Sequence, residues 1–205
     1  MEPRIKICGI TNREDAEKAV EYGADALGFV FYTNSPRFIT PQEVVMLTTS
    51  IPVFVSKVGV FVDMPAEEVR KIANEVGLEA IQLHGHETRD YCKQFYQPVI
   101  KAFRMKSIET LMEMRDYEVS AFLLDAFSSN EYGGTGKKFN WDWALRAKIH
   151  NRPIILSGGL TPDNVTEAVR TVRPYAIDVS SGVEAVPGKK DHIMMKDFIQ
   201  ACKKA

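Results

Sequence analysis

Two side chains in this sequence combine reactivity with a telling place in the chain. Cys8 lies in Arg4-Ile5-Lys6-Ile7-Cys8-Gly9-Ile10-Thr11. Alternation with period two puts Ile5 and Ile7 on one face of a strand and Lys6 and Cys8 on the other. A thiol at the last residue of a strand, two residues beyond a lysine, can be drawn toward the thiolate. Asp125 ends the apolar run Ala121-Phe122-Leu123-Leu124, where an unpaired carboxylate is costly. It either pairs with a lysine or is raised by burial so that it can act as an acid. His84 follows another short apolar run. His84-Gly85-His86 has no evident third and fourth ligand, so a structural or substrate-contacting histidine is preferred to a metal site.

Glycines mark the other candidate positions. Ser157-Gly158-Gly159 and Ser180-Ser181-Gly182 each follow a strand-like run. Small residues there let backbone N–H groups approach an anion, and two such loops together favour a phosphate site over tight turns alone. Glu131 to Lys138, containing Gly133, Gly134 and Gly136, departs from a nucleotide-binding loop, with Glu131 in place of glycine and Lys138 in place of Ser or Thr. It reads as a lid with glycine hinges or as an ordinary surface loop. Lys6, Lys101 and Asp178 fall on inward phases of their strands and are expected to form a buried ion-pair network.

These residues need elements to hold them. Strands are expected at 4–8, 25–31, 55–61, 79–83, 98–103, 120–125, 153–157 and 176–180. Helices are expected near 13–22, 41–49, 65–75, 87–95, 107–115, 141–148, 161–170 and 191–203. Thr11 with Glu14, and Thr40 with Pro41 and Glu43, read as capping boxes. Thr161-Pro162 reads as a further cap, and Asn140 as the cap before Trp141. Several strands are apolar on both faces, as parallel strands covered by helices are. Eight strand–helix pairs predict an α/β chain folded as a single (β/α)8 TIM barrel over 1–205, whose strand C-termini form the active face. An open doubly wound sheet is the alternative, but the first turn lacks its glycine fingerprint.

The 26 basic and 27 acidic residues leave a net charge of −1. That balance argues against a dedicated nucleic-acid or anionic-membrane surface. No apolar run reaches the ~20 residues a spanning helix needs. The N-terminus carries no signal-peptide pattern, so a cytoplasmic location is expected. Cys8, Cys92 and Cys202 are too widely spaced for a disulfide framework or metal cluster.

Six motifs in register carry a family resemblance: Lys6-Ile7-Cys8-Gly9-Ile10-Thr11; Gly28-Phe29-Val30-Phe31 with Ser35-Pro36-Arg37; Gln82-Leu83-His84-Gly85; Leu123-Leu124-Asp125 followed by Gly133-Gly134-Thr135-Gly136-Lys137; Leu156-Ser157-Gly158-Gly159-Leu160; and Ser180-Ser181-Gly182-Val183-Glu184 with Pro187-Gly188-Lys189-Lys190-Asp191. Together they resemble the phosphoribosylanthranilate isomerase family of tryptophan biosynthesis over essentially the whole chain. The resemblance implies an Amadori rearrangement of a small phosphorylated substrate, with no cofactor and no metal, in a monomer or homodimer. It implies Cys8 as general base, Asp125 as general acid and Arg37 facing the anthranilate carboxylate. Gly158, Gly159, Ser181 and Gly182 would hold the phosphate, with His84 and Gly136 also at the substrate. Two other functions stay open on the residues alone. One is a carbon–carbon lyase or synthase acting on a related phosphate, and the other a phosphate-ligand sensor in which Cys8 serves packing or redox sensing.

Overall fold

The computed structural model describes residues 2–105, 107–126 and 141–205. Eight parallel strands close into a barrel: β1 (Arg4–Cys8), β2 (Ala26–Val30), β3 (Ser56–Phe61), β4 (Ala80–Leu83), β5 (Val99–Met105), β6 (Ala121–Ala126), β7 (Ile154–Ser157) and β8 (Ala176–Val179). β1 and β8 complete the closure, with Lys6 beside Asp178. Helices α1 (Arg13–Tyr22), α2 (Pro41–Leu47), α3 (Ala66–Val76), α4 (Arg89–Cys92), α5 (Thr110–Met114), α6 (Trp141–Ala147), α7 (Val165–Val172) and α8 (His192–Lys203) alternate with the strands. A short antiparallel hairpin, β9 (Glu184–Val186) and β10 (Lys189–Lys190), follows β8; it is not evident in the sequence pattern. The expected barrel is therefore the observed fold. No helix among the described residues is long and apolar enough to cross a membrane.

Alternation along the strands sorts two apolar layers. Ile5, Ile7, Leu27, Phe29, Ile81, Leu83, Phe122 and Leu124 pack with helix residues such as Val69, Val169 and Phe198. Val58, Ile100, Ala102, Leu123 and Ile155 fill the barrel interior. This explains a correction. Ile100 and Ala102 face inward, so Lys101 between them faces the helix layer and takes no part in the Lys6–Asp178 pair. Its Nζ instead meets Glu87 Oε2 at 2.8 Å and the Gly85 carbonyl at 2.8 Å. Glu87 also accepts from the backbone N–H of Gly85 and of Asp63. This buried strut pins the turn after β4 and draws Glu87 out of the helix expected from residue 87.

Local capping differs from expectation in two places. Asn12, not Thr11, caps α1, accepting from the Asp15 N–H at 2.9 Å, while the Thr11 hydroxyl donates to the Gly188 carbonyl in the hairpin. Thr161 does not start α7. Asn164 accepts from the Thr161 N–H and donates to the Gly159 carbonyl, closing a turn that delays the helix to Val165. The capping box at Thr40 and Glu43 forms as read. Asn140 and the glycine-rich segment 131–138 lie outside the described residues.

Candidate active site

The strands deliver Cys8, Asp125, His84 and Arg37 to one cavity of about 360 Å³ at their C-terminal ends, together with Gly158, Gly159, Ser181 and Gly182. That volume suits a small organic phosphate. Gly136, the remaining residue singled out from the resemblance, lies outside the described residues. His84 and His86 separate: His84 turns into the cavity, while His86 is exposed and meets Asp63 Oδ2 at 3.2 Å.

Cys8 fits because its β2 neighbour is glycine. A Cβ on Gly28 would stand 2.7 Å from the Cys8 sulfur and 3.0 Å from the Lys6 chain, so any other residue would displace the thiol. At the far rim Gly158 and Gly159 both take positive φ, 82° and 64°. Consecutive residues in this region break the strand ladder and form a tight turn at the cavity rim. Gly182, in the turn Ser181–Val183, packs so tightly on the Leu160 carbonyl that no side chain fits. The two loops are thereby held edge to edge.

Beneath the cavity lies a buried polar layer. Lys6 Nζ contacts Asp178 Oδ1 at 2.7 Å and Gln82 Oε1 at 2.9 Å, and Ser157 Oγ donates to Asp178 Oδ2 at 3.1 Å. Burial alone would lower the Lys6 ammonium, yet Asp178 and the neighbouring Cys8 together raise it above the usual lysine range. Burial pushes the Cys8 thiol up; Lys6 and, more weakly, Lys190 pull it down without cancelling that effect. Lys6 therefore does not make Cys8 a ready thiolate, contrary to the reading from spacing alone, because the dry interior penalises the anion more than one lysine rewards it.

Asp125 meets a histidine and not the lysine that was one of its two expected environments. No lysine reaches it among the described residues; His84 Nε2 lies 3.3 Å from its Oδ2, and the side chain remains partly open to the cavity. Arg37 is aimed by a residue the sequence did not single out for a role. Glu184 takes its Nε at 2.8 Å and Nη2 at 2.6 Å, and this fork holds Arg37 above the ordinary arginine range. Lys190, fully buried, joins Glu184 Oε1 at 2.8 Å and the Cys8 carbonyl at 2.6 Å. Burial lowers its ammonium despite Glu184. Glu184, Lys190 and Gln82 carry functional geometry that sequence reasoning missed. Only Gln82 left a signal, since it shares the inward phase of β4 two residues before His84.

The family profile described as N-(5'phosphoribosyl)anthranilate (PRA) isomerase matches residues 5–201. An N-(5'-phosphoribosyl)anthranilate isomerase of Trichlorobacter lovleyi is 53% identical over 202 residues, 98% of each chain. The crystal structure of phosphoribosyl anthranilate isomerase from Thermotoga maritima matches with a TM-score of 0.94 and 46% identity, covering 99% of this chain and 100% of that one. A crystal structure of phosphoribosyl anthranilate isomerase in complex with reduced 1-(O-carboxyphenylamino)-1-deoxyribulose 5-phosphate gives a TM-score of 0.90 and 43% identity, covering 99% and 100%. These matches span nearly the whole chain, and the chain belongs to the phosphoribosylanthranilate isomerase family of tryptophan biosynthesis.

Proposed function

We propose that the chain converts N-(5-phospho-β-D-ribosyl)anthranilate to 1-(2-carboxyphenylamino)-1-deoxy-D-ribulose 5-phosphate by an Amadori rearrangement, with Asp125 as general acid and Cys8 as general base. The observation that carries this reading is the gathering of a carboxyl, a thiol, an arginine fork and two glycine-bearing loops around one cavity. Asp125 in its acid form protonates the ribose ring oxygen as the amine lone pair opens the ring to an iminium. The iminium acidifies the adjacent C2 proton, and Cys8 sulfur removes it to give an enolamine. Proton return to C1 and loss of the enol proton yield the ketone, so every step is a proton transfer.

The high thiol of Cys8 is compatible with this order. A cationic iminium beside the sulfur favours the thiolate when the base is needed, and a thiolate formed in a dry site is a stronger base than one in water. Gly158, Gly159, Ser181 and Gly182 hold the phosphate through backbone N–H groups. Glu184 occupies two of the five Arg37 donors, leaving the remaining edge for a planar carboxylate. Binding at both ends fixes the sugar between acid and base. The expectation for Gly136 carries over as a substrate contact of the same reading.

The test is turnover of phosphoribosylanthranilate, followed by loss of anthranilate-type fluorescence. Cys8→Ser and Asp125→Asn should each fold and bind product yet lose on the order of 10²-fold in kcat. A folded Cys8→Ser protein with near-normal kcat would refute the mechanism. Binding without turnover in the unmodified protein would favour the sensor reading instead.

A further inference from the structure

Three contacts run in series from the buried polar layer to the acid. Lys6 Nζ meets Gln82 Oε1 at 2.9 Å, Gln82 Nε2 meets His84 Nδ1 at 3.0 Å, and His84 Nε2 meets Asp125 Oδ2 at 3.3 Å. Gln82 is buried and His84 is largely covered. Each link admits only one direction, and the reason begins at Lys6. An ammonium has three donors and no acceptor, and Lys6 is held as an ammonium by Asp178 at 2.7 Å. The atom of Gln82 facing it must therefore be the amide oxygen; a flipped amide would set NH2 against NH3. The amide NH2 then faces His84 Nδ1, which must accept. The single proton of a neutral imidazole is left on Nε2, pointing at the Asp125 carboxyl.

We propose that Gln82 and His84 are positioning residues for Asp125: Gln82 locks His84 in the Nε2–H tautomer, and His84 donates to Asp125 Oδ2. The donation leaves Oδ1 to carry the proton delivered to substrate. It also stabilises the carboxylate left behind once that proton is gone, since a hydrogen bond to a charged acceptor exceeds one to a neutral acceptor. A histidine in the other tautomer would turn a lone pair toward that carboxylate and lose this assistance, as wrong-tautomer variants of hydrolase triads do. The β4 turn is braced for the task. The His84 N–H donates to the Phe61 carbonyl at 2.8 Å, and the Lys101–Glu87 strut clasps Gly85 behind it. This role rests on the assignment of Asp125 as general acid, whereas the tautomer itself does not.

The chain has four histidines, so long-range ¹H–¹⁵N correlation on histidine-labelled protein, with His84→Ala for assignment, reads the tautomer directly. The unmodified protein at neutral pH should give the Nε2–H pattern; an Nδ1–H or doubly protonated ring would overturn the proposal without any variant of Gln82. Gln82→Met preserves length and removes both amide contacts. It should release the tautomer and lower kcat about tenfold with KM changed less than about twofold. In a His84→Ala background the same change should have no further effect on kcat, because Gln82 acts through His84. An equal fall in both backgrounds would mean that Gln82 serves packing alone and would overturn its positioning role. Asp125→Asn assayed alongside separates the two claims. Retained kcat there would remove the acid assignment and the role built on it, whatever tautomer His84 adopts.

Discussion

Asp178→Asn tests whether the layer beneath the site behaves as a desolvated pair. The substitution keeps the side-chain shape and removes one charge. Lys6 and Asp178 are each only 4% exposed, so water does not replace the lost carboxylate. Two responses are open to Lys6. It can remain an ammonium without its counter-charge, which costs about 3–5 kcal/mol for a buried pair broken on one side. Or it can shed its proton at pH 7 against an unfolded value of about 10.4, at ~1.4 kcal/mol per unit, again about 5 kcal/mol. The two routes converge, so the variant should lose about 3–5 kcal/mol of stability at neutral pH. If the proton is shed, the penalty shrinks by ~1.4 kcal/mol for each pH unit toward 10.

Urea denaturation monitored by Trp141 and Trp143, both partly buried against the core, gives the number. Adding Lys6→Met should restore stability to within about 2 kcal/mol of the unmodified protein, since no buried ion is then left alone. A loss below about 1 kcal/mol, the value of an exposed pair, would refute the reasoning. So would a double variant no more stable than Asp178→Asn.

Gly159→Asp should raise KM about tenfold or more through like charge at the loop proposed to hold the phosphate, whereas Gly159→Asn, which meets the same φ of 64° without the charge, should raise it far less. Equal KM values for the two would mean that backbone strain, not phosphate repulsion, governs the loop. Burial holds the Cys92 thiol up to about 11 and the Cys202 thiol up to about 12. The unfolded chain releases both protons near the ordinary ~8.5, so this contribution to stability is complete below that value and is lost as pH rises through the folded values. Between about pH 8.5 and about pH 10.5 each thiol should remove up to ~1.4 kcal/mol per pH unit. Cys92→Ala with Cys202→Ala should flatten the dependence in urea midpoints; an unchanged slope would show that other groups set it.

Much of the fold was legible because period and punctuation agree. The eight strands fall within two residues of their expected bounds, since apolar runs flanked by turn residues leave little freedom. Helix starts were less secure where a polar residue had competing partners. Thr11 and Asn164 are both competent caps, but the hairpin takes the hydroxyl of the first and the loop after β7 takes the amide of the second. Cys8 and Asp125 were visible as reactive groups at strand ends. Their environments were not, because burial of a thiol and the lack of a lysine beside Asp125 among the described residues depend on strands far away in sequence. Lys101 illustrates the limit. One residue of error in strand phase moves a side chain from the barrel interior to the helix layer, and β5 runs two residues longer than its apolar pattern suggests.

The buried layer also bears on why the interior is polar at all. Well-packed apolar residues in place of Lys6 and Asp178 would leave stability unchanged or raise it, so stability does not account for the pair. An apolar layer has no donor to fix the Gln82 amide, no means of setting the His84 ring, and no cation beside Cys8. The pair supplies all three while adding no net charge beneath a site that must admit a phosphate and a carboxylate. Lys190 and Glu184 repeat the device on the other side of Cys8, buried, paired and aimed at Arg37. In each case a lysine is neutralised by a carboxylate, and the other hydrogen bonds of the pair hold a group that faces the cavity. The desolvation cost is thus borne at the places where direction matters, between the apolar interior of the barrel and the loops that meet the ligand.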